Sequence, residues 1–309
     1  MSETTGESTT RETEGTGIQE QGFVGRLLSS LVRVREVSIL IVLVGLALYL
    51  QAANSAFLSQ QNILSLAQYA VPYVVIASSL CLLLICGEID LSVGQSFAFA
   101  PIVMYLAYDK LFLVLPLAVL VGLAAVAVVG LVNGLITVYL GVSSLIATLG
   151  MFFLLAGLNV TLTGGFPATT PETSSVTQAL GEYAWSGTIW ALIIVAVLQL
   201  VLLRTRWGLH TYATGGNPLG AREAGVGVAR IKIGNFILCG VLGGFVGIIE
   251  AFRINSIDPL AGGPDIVLLC IAAAVIGGTA LLGGVGTVTG ACFSTVRTKL
   301  SRIARRYCV

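Results

Sequence analysis

Between Val37 and Leu282 the chain is a succession of apolar runs separated by short polar stretches. Several of these runs reach the roughly 17–25 residues that an α-helix needs to cross about 30 Å of hydrocarbon. Composition closes off the soluble alternative. Of 309 residues, 56% are hydrophobic and 10% charged, against roughly 45–50% and about 25% in an ordinary soluble domain. Polar side chains are too few to cover a surface facing water. The 37 glycines suit helices packed in lipid, where small residues let backbones approach closely.

Eight spans are expected: Val37–Ala53, Ile63–Cys86, Gln95–Tyr108, Leu111–Val132, Ser144–Thr163, Ile189–Leu203, Ile233–Phe252 and Ile266–Leu282. The third and sixth are short, and the third is a candidate re-entrant element, because irregular backbone at membrane depth survives only beside protein or water. The expected fold is therefore an all-α polytopic membrane protein, a bundle of about eight spans with broken or re-entrant helices. Glycine pairs four apart, Gly240 with Gly244 and Gly243 with Gly247, mark a close helix contact.

Residues 1–36 are polar, rich in Ser, Thr, Glu and Gly, and read as a disordered cytoplasmic tail. No basic start followed by a short apolar core marks a secretory signal. Residues 37–290 form the transmembrane domain, with a long basic loop at 204–232, and 291–309 form a basic C-terminal segment. Basic residues fall in three clusters: Arg26, Arg33 and Arg35; Arg204, Arg206, Arg222, Arg230 and Lys232; and Arg297, Lys299, Arg302, Arg305 and Arg306. Eight crossings put all three on one side, which the retention of positive charge makes the cytoplasm. The C-terminal cluster would then lie at the anionic inner leaflet. Only Lys110 and Arg253 fall opposite, and the loop Gly164–Thr188, with its glycines, Pro167 and Pro171, lies outside as a place for a partner to dock.

Two stretches carry chemical information. In Cys86-Gly87-Glu88-Ile89-Asp90-Leu91-Ser92-Val93-Gly94, two carboxylates interrupt apolar sequence. As a helix junction, Gly87 ends one helix and Asp90 or Ser92 caps the next. As a functional element, Glu88 or Asp90 lines or gates a polar path, since ionisable groups near membrane depth are costly and kept for a reason. Both readings can hold. In the basic loop, Asn217 is a good N-cap, Pro218 is preorganised for the first helical position, and Gly225 can end a helix. A helix that short needs something packed on it: the bundle or a cytoplasmic partner. Inside the spans, Gln68, Tyr69, Asn133, Asn159, Asn235 and Glu250 are candidates for a translocation path, with interhelical hydrogen bonding as the competing role.

Together these stretches resemble the permease subunits of bacterial monosaccharide importers of the ATP-binding cassette class, the ribose, xylose and galactose type, over roughly Asn62 to Gly290. The family's Gly-Gly-Ile-Asp-Leu-Ser-Val-Gly signature is matched by Gly87, Ile89, Asp90, Leu91, Ser92, Val93 and Gly94, with Glu88 in place of a glycine. Ile146 to Met151, Gly277-Gly278-Thr279, Gly283-Gly284 and Gly286-Thr287-Val288 match as well. The resemblance implies that Gly215 through Val226 is a coupling helix seated on an ATPase subunit, with Gly215, Asn217, Pro218, Ala221 and Gly225 shaping it and Arg222 and Glu223 as polar anchors. It implies two ATPase subunits, a second permease chain, identical or not, and an extracytoplasmic sugar-binding protein, in a bacterial or archaeal inner membrane. The C-terminus looks shortened relative to the family.

No Gly-x-x-x-x-Gly-Lys-Ser/Thr motif occurs, so the chain cannot cradle ATP phosphates that way, and hydrolysis belongs to a partner. The single histidine, His210, excludes a two-histidine zinc protease site, and no Gly-x-Ser-x-Gly elbow is present. Cys81, Cys86, Cys239, Cys270 and Cys292 sit in apolar runs without metal-ligand spacing. No enzyme activity, cofactor, metal or nucleic acid is expected. A secondary transporter or channel for a small polar solute is the alternative function, and a non-transporting receptor or scaffold the third.

Overall fold

In a computed structural model of the protein, the described residues are 35–307 apart from 54, 56 and 173, with side chains described over 40–301. The polar tail expected over 1–36 lies almost wholly outside them. The chain is helical: α1 Arg35–Ala53, α2 Gln60–Ile85, α3 Val93–Asp109, α4 Leu115–Tyr139, α5 Ser144–Thr163, α6 Ser186–Arg204, α7 Arg206–Gly216, α8 Pro218–Glu223, α9 Val228–Ile254, α10 Pro264–Ile276 and α11 Val288–Tyr307. A short turn, Ser175–Thr177 and Gln178–Glu182, precedes α6. Five of these helices are long and apolar enough to cross a membrane: α2, α4, α5, α6 and α9.

The centre of the bundle is α9 against α4, α3 and α2, and glycines set its spacing. A Cβ on Gly130 of α4 would sit 2.5 Å from the Phe236 carbonyl of α9, and one on Gly247 would sit 1.9 Å from the Phe97 carbonyl of α3. The two expected glycine pairs share α9 between two neighbours: Gly240 takes α4 at Val126, Gly244 sits between Val126 of α4 and Ala100 of α3, and Gly243 and Gly247 take α3 at Val93 and Phe97. The sixth expected span is not short, since α6 extends it to Ser186–Arg204. The fourth is displaced, because Pro116 is accepted in the first turn of a helix that starts at Leu115 and runs on to Tyr139.

Both broken elements are short. Val93 packs on Gly243 and Phe97 on Gly247, so α3 begins about 22 Å along α9 from its first residue, at 1.5 Å per residue. The expected span Ile266–Leu282 is not one helix. It ends at Ile276, and Gly278, Gly283 and Gly284 take positive φ in the turns that follow. The first turn of α10 meets the first turn of α3, where Val267 and the Gly262 and Gly263 carbonyls close on Gly94.

From sequence, residues 291–309 form a separate basic segment alongside the other basic clusters. In the structure α11 is a helix of the bundle. The Gln199 side chain of α6 accepts from the Val288 and Thr289 amides at 2.9 and 3.2 Å, Lys299 lies over the Tyr73 ring of α2, and Leu300 joins Leu50 and Phe57 in an apolar cluster. The helix thus travels away from the end that holds loop 204–232, so the expectation that all three basic clusters share one side, with the C-terminal one at the inner leaflet, does not hold for Arg297 to Arg306. Small residues permit this approach: Ala291, Ser294 and Thr295 are fully buried, and Thr295 turns its hydroxyl onto the Ala291 carbonyl at 2.7 Å.

Because the Gly247 contact is with backbone, Gly247→Ala is expected to destabilise the protein by about 1–3 kcal/mol. Gly150→Ala, on the open face of α5 where nothing lies within 4 Å, should be neutral or stabilising by up to about 1 kcal/mol. Thermal unfolding in detergent reads both.

Candidate functional site

The bundle's polar interior is built around the break between α2 and α3. Gly87 takes φ +77, the left-handed conformation open to glycine, and its amide returns to the Leu84 carbonyl at 2.9 Å. The segment beyond it is not helical, so its backbone donors must find other partners inside lipid. Hydroxyls of α5 supply two: Ile89 N donates to Ser144 Oγ at 3.2 Å and Leu91 N to Thr148 Oγ1 at 3.1 Å. Asp90, fully buried, accepts from Ser92 N and Oγ at 2.8 and 2.6 Å through Oδ1. That bond turns the chain into α3, and Asn133 of α4 donates to Ser92 Oγ at 2.8 Å. Asp90 Oδ2 and Asn133 Oδ1 have no hydrogen-bond partner among the described residues.

Glu88 points to the base of α9 and pairs with Lys232, 144 residues along the chain. The two side chains are 12% and 20% exposed. The carboxylate that departs from the glycine signature is thus neutralised by a lysine of the basic loop. Asn235, one turn above, accepts from Trp207 Nε1 of α7 at 2.9 Å and donates to Cys86 Sγ at 3.0 Å. It is a tie between three helices.

Below the break, three glycine-bearing backbones touch. A Cβ on Gly215 would fall 1.6 Å from the Ile85 carbonyl, and Gly283 and Gly284 lie against Gly215 and Gly216. The Gly284 amide donates to the Ile85 carbonyl at 2.8 Å, and Tyr212 OH to the Gly286 carbonyl at 2.5 Å. This contact carries α7 and, after it, α8. Asn217 Oδ1 accepts from Gly220 N at 3.0 Å as the N-cap, Pro218 is the first helical residue, and Gly225 takes φ +80 just past the end. Ala221 is buried, while Leu219, Arg222 and Glu223 are exposed, Leu219 by 67%. The α7 helix itself is not marked in the sequence, where its two terminal glycines resemble a loop.

At the opposite end, Glu250 and Arg253 form a bidentate pair at 2.5 and 2.7 Å, and the guanidinium lies 5.0 Å from the Tyr69 ring centre. Gln68 donates to the Ala184 carbonyl at 2.8 Å. The Gly164–Thr188 loop is pinned there by the Ala168–Ile257 bridge and by Trp190 Nε1 donating to the Ala179 carbonyl at 3.0 Å. Gln68, Tyr69 and Glu250 therefore hold the rim of the bundle, whereas Asn133, Asn159 and Asn235 lie fully buried within it. Among the described residues no cluster could hold a metal ion.

Residues 62–306 match the family described as the branched-chain amino acid transport system permease component. The chain belongs to this permease family. It is 37% identical over 273 residues to a xylose/arabinose import permease of Sulfolobus acidocaldarius, covering 86% of this chain and 76% of that one. It is 33% identical over 265 residues to a ribose import permease of Escherichia coli K12, covering 81% and 79%. An autoinducer 2 import system permease of Salmonella typhi is 31% identical over 263 residues, covering 83% and 74%. No solved structure matches. The permease is an all-α, multi-pass membrane protein, and the family match runs on into α11.

One residue of the permease's interior escapes notice in the sequence. Gln95, in the first turn of α3, donates to the Gly262 carbonyl at 2.8 Å and accepts from Asn159 Nδ2 of α5 at 3.0 Å. Its one signal is an amide in the first turn of a short apolar span. For the ion pair, Glu88→Gln strands the Lys232 ammonium in a mostly buried position, an expected loss of about 1–3 kcal/mol. Adding Lys232→Met should restore most of the melting temperature in detergent. An unchanged melting temperature in Glu88→Gln would show that the pair does not hold the loop.

Proposed function

We propose that the chain is the membrane-spanning subunit of an ATP-binding cassette importer that moves a monosaccharide into the cytoplasm, driven by a separate ATPase through α8. The single observation that carries this reading is the arrangement below the break. A capped two-turn helix stands exposed at one end of the bundle, and the α7 backbone next to it is packed without intervening side chains on Ile85 and Gly283–Gly284. A helix of six residues is not stable alone. Seated in a groove of an ATPase, it would transmit a push through Gly215 to the end of α2 and the Gly87–Ser92 segment, a route with no flexible side chains to absorb it.

In this reading, Leu219, Arg222 and Glu223 meet the ATPase, and Gly215, Asn217, Pro218, Ala221 and Gly225 shape the helix that presents them. Gly87, Asp90, Ser92 and Gly94 form the hinge of the gate, and Glu88 with Lys232 holds it to α9. Asn133 and Asn235 belong to the interior it controls, while Gln68, Tyr69 and Glu250 stand at its mouth. The N-terminus and the 204–232 loop face the cytoplasm, consistent with their basic residues. Two ATPase subunits require two coupling helices, hence a second permease chain. A sugar-binding protein would dock outside on Gly164–Thr188, where Phe166, Tyr183 and Trp185 are exposed. The sugar cargo is supported by the xylose/arabinose and ribose import permeases among the relatives.

Gly225 sits at positive φ with open space around it, so Gly225→Val distorts the helix end at about 1–2 kcal/mol without crowding the bundle. The expected outcome is loss of a co-purifying Walker-motif ATPase and at least about a tenfold fall in sugar uptake, with membrane insertion retained. Uptake unchanged in Gly225→Val and no ATPase recovered with the native chain would instead establish a secondary carrier.

A further inference from the structure

We propose that the seam where the first turn of α3 meets Gly262–Pro264 is the solute-binding point of the transport path, with Gln95 and Asn159 as its hydrogen-bonding groups and a neutral polyhydroxylated molecule as its ligand class. This rests on the importer reading above and adds to it the site and the reason for the cargo's chemistry.

Two interrupted helices begin at this seam, a layout that places binding groups where a path can open between them. Their backbones touch directly: a Cβ on Gly262 would lie 2.3 Å from the Gly94 carbonyl and 3.0 Å from Gln95 Cα. What joins them is a directional chain of amides. Asn159 Nδ2 donates to Gln95 Oε1, and Gln95 Nε2 donates to the Gly262 carbonyl. Asn159 Nδ2 also faces the Gln95 carbonyl at 3.4 Å. Both neighbours of that nitrogen are acceptors, so the orientation of the Asn159 amide is set. Its other end, Oδ1, is fully buried and has no donor among the described residues. Ser96 Oγ, one residue on from Gln95, is buried without a partner as well. A buried acceptor of this kind costs free energy unless a donor reaches it, and a solute hydroxyl supplies one.

Charge decides the ligand class. Residues 93–109, 144–163 and 256–276, which build the seam, contain no Lys or Arg. An amino-acid zwitterion, the cargo in the family's description, would set its carboxylate against Asp265 in the first turn of α10 with only the two helix N-termini, and no Lys or Arg, to hold it. A sugar brings paired donors and acceptors and no charge.

The test is uptake of radiolabelled D-xylose and of its monofluoro analogues by cells carrying the complete transport system, since fluorine cannot donate a hydrogen bond. At one ring position the native chain should discriminate hydroxyl from fluorine by about tenfold or more, and Asn159→Val should lose that discrimination. The binding protein is the same in both strains, so its own preference cancels in the ratio. Gln95→Met, which breaks the same amide chain from α3, is the second variant and should behave alike. Equal hydroxyl-to-fluorine ratios in native and variant chains at every position would overturn the site. Uptake of L-leucine but not D-xylose by the native chain would overturn the ligand class and leave the importer standing. Uptake of none of D-xylose, L-arabinose, D-ribose and L-leucine, with no ATPase recovered with the native chain, would remove the importer reading itself.

Discussion

Lipid offers a backbone amide no hydrogen-bond partner, and this constraint explains why the interior is arranged as it is. The chain leaves helical geometry after Ile85 and resumes it at Val93. It can do so because α5 begins alongside and turns Ser144 and Thr148 toward the freed amides of Ile89 and Leu91, while Asp90 takes the amide of Ser92. Glu88 N returns to the Leu83 carbonyl at 3.0 Å. The Ile89 and Leu91 amides of the break are thus paired by a specific neighbour, which holds α2, α3, α4 and α5 in one register. The Glu88–Lys232 pair adds α9 by the same logic, since a carboxylate in this setting needs a cation within reach.

A second constraint follows from close approach. Side chains usually separate packed helices and take up small displacements. Here glycine removes them at the points that matter: Gly130 and Gly247 on the central contacts, Gly94 and Gly262 at the seam, Gly215 and Gly283 below the break. Backbone against backbone transmits displacement rather than damping it, because packed interiors are bistable and not continuously deformable. In the proposed coupling, a displacement of α8 would pass through the Gly215–Ile85 contact to the Gly87–Ser92 hinge, which leads into α3 and the amide chain of Gln95 and Asn159.

Much of this is legible in the chain because lipid makes local signals strong. Apolar length marks the long spans, since nothing but a helix satisfies the backbone of Gln60–Ile85 or Val228–Ile254 there. The Asn217, Pro218 and Gly225 pattern marks α8, because each residue acts on its own turn. Less is legible where the deciding partner is far away in sequence. Asn159 and Asn235 read as packing groups first and path residues second until Gln95, Trp207 and Cys86 are placed beside them. Glu250 reads as a lone intramembrane acid until Arg253 is seen clasping it. The α7 helix is hidden because its Gly215–Gly216 terminus, poor for an isolated helix, is required by the Ile85 contact. The α11 helix is hidden because its basic residues outweigh the small buried face that seats it on α1 and α2.

By itself the sequence determined that the chain is a helical membrane protein, where its long spans run, and that a glycine-rich break and a short capped helix interrupt them. These follow from hydrophobic length and from residues acting within one turn. Only the tertiary structure decided that the break is hydroxyl-paired from α5, that Glu88 is neutralised by Lys232, that α3 and α10 start face to face at Gln95 and Gly262, and that α11 lies within the bundle. Each of those depends on two segments brought together across 50 or more residues, and a hydrogen bond or a close backbone contact leaves no periodic trace in either segment alone.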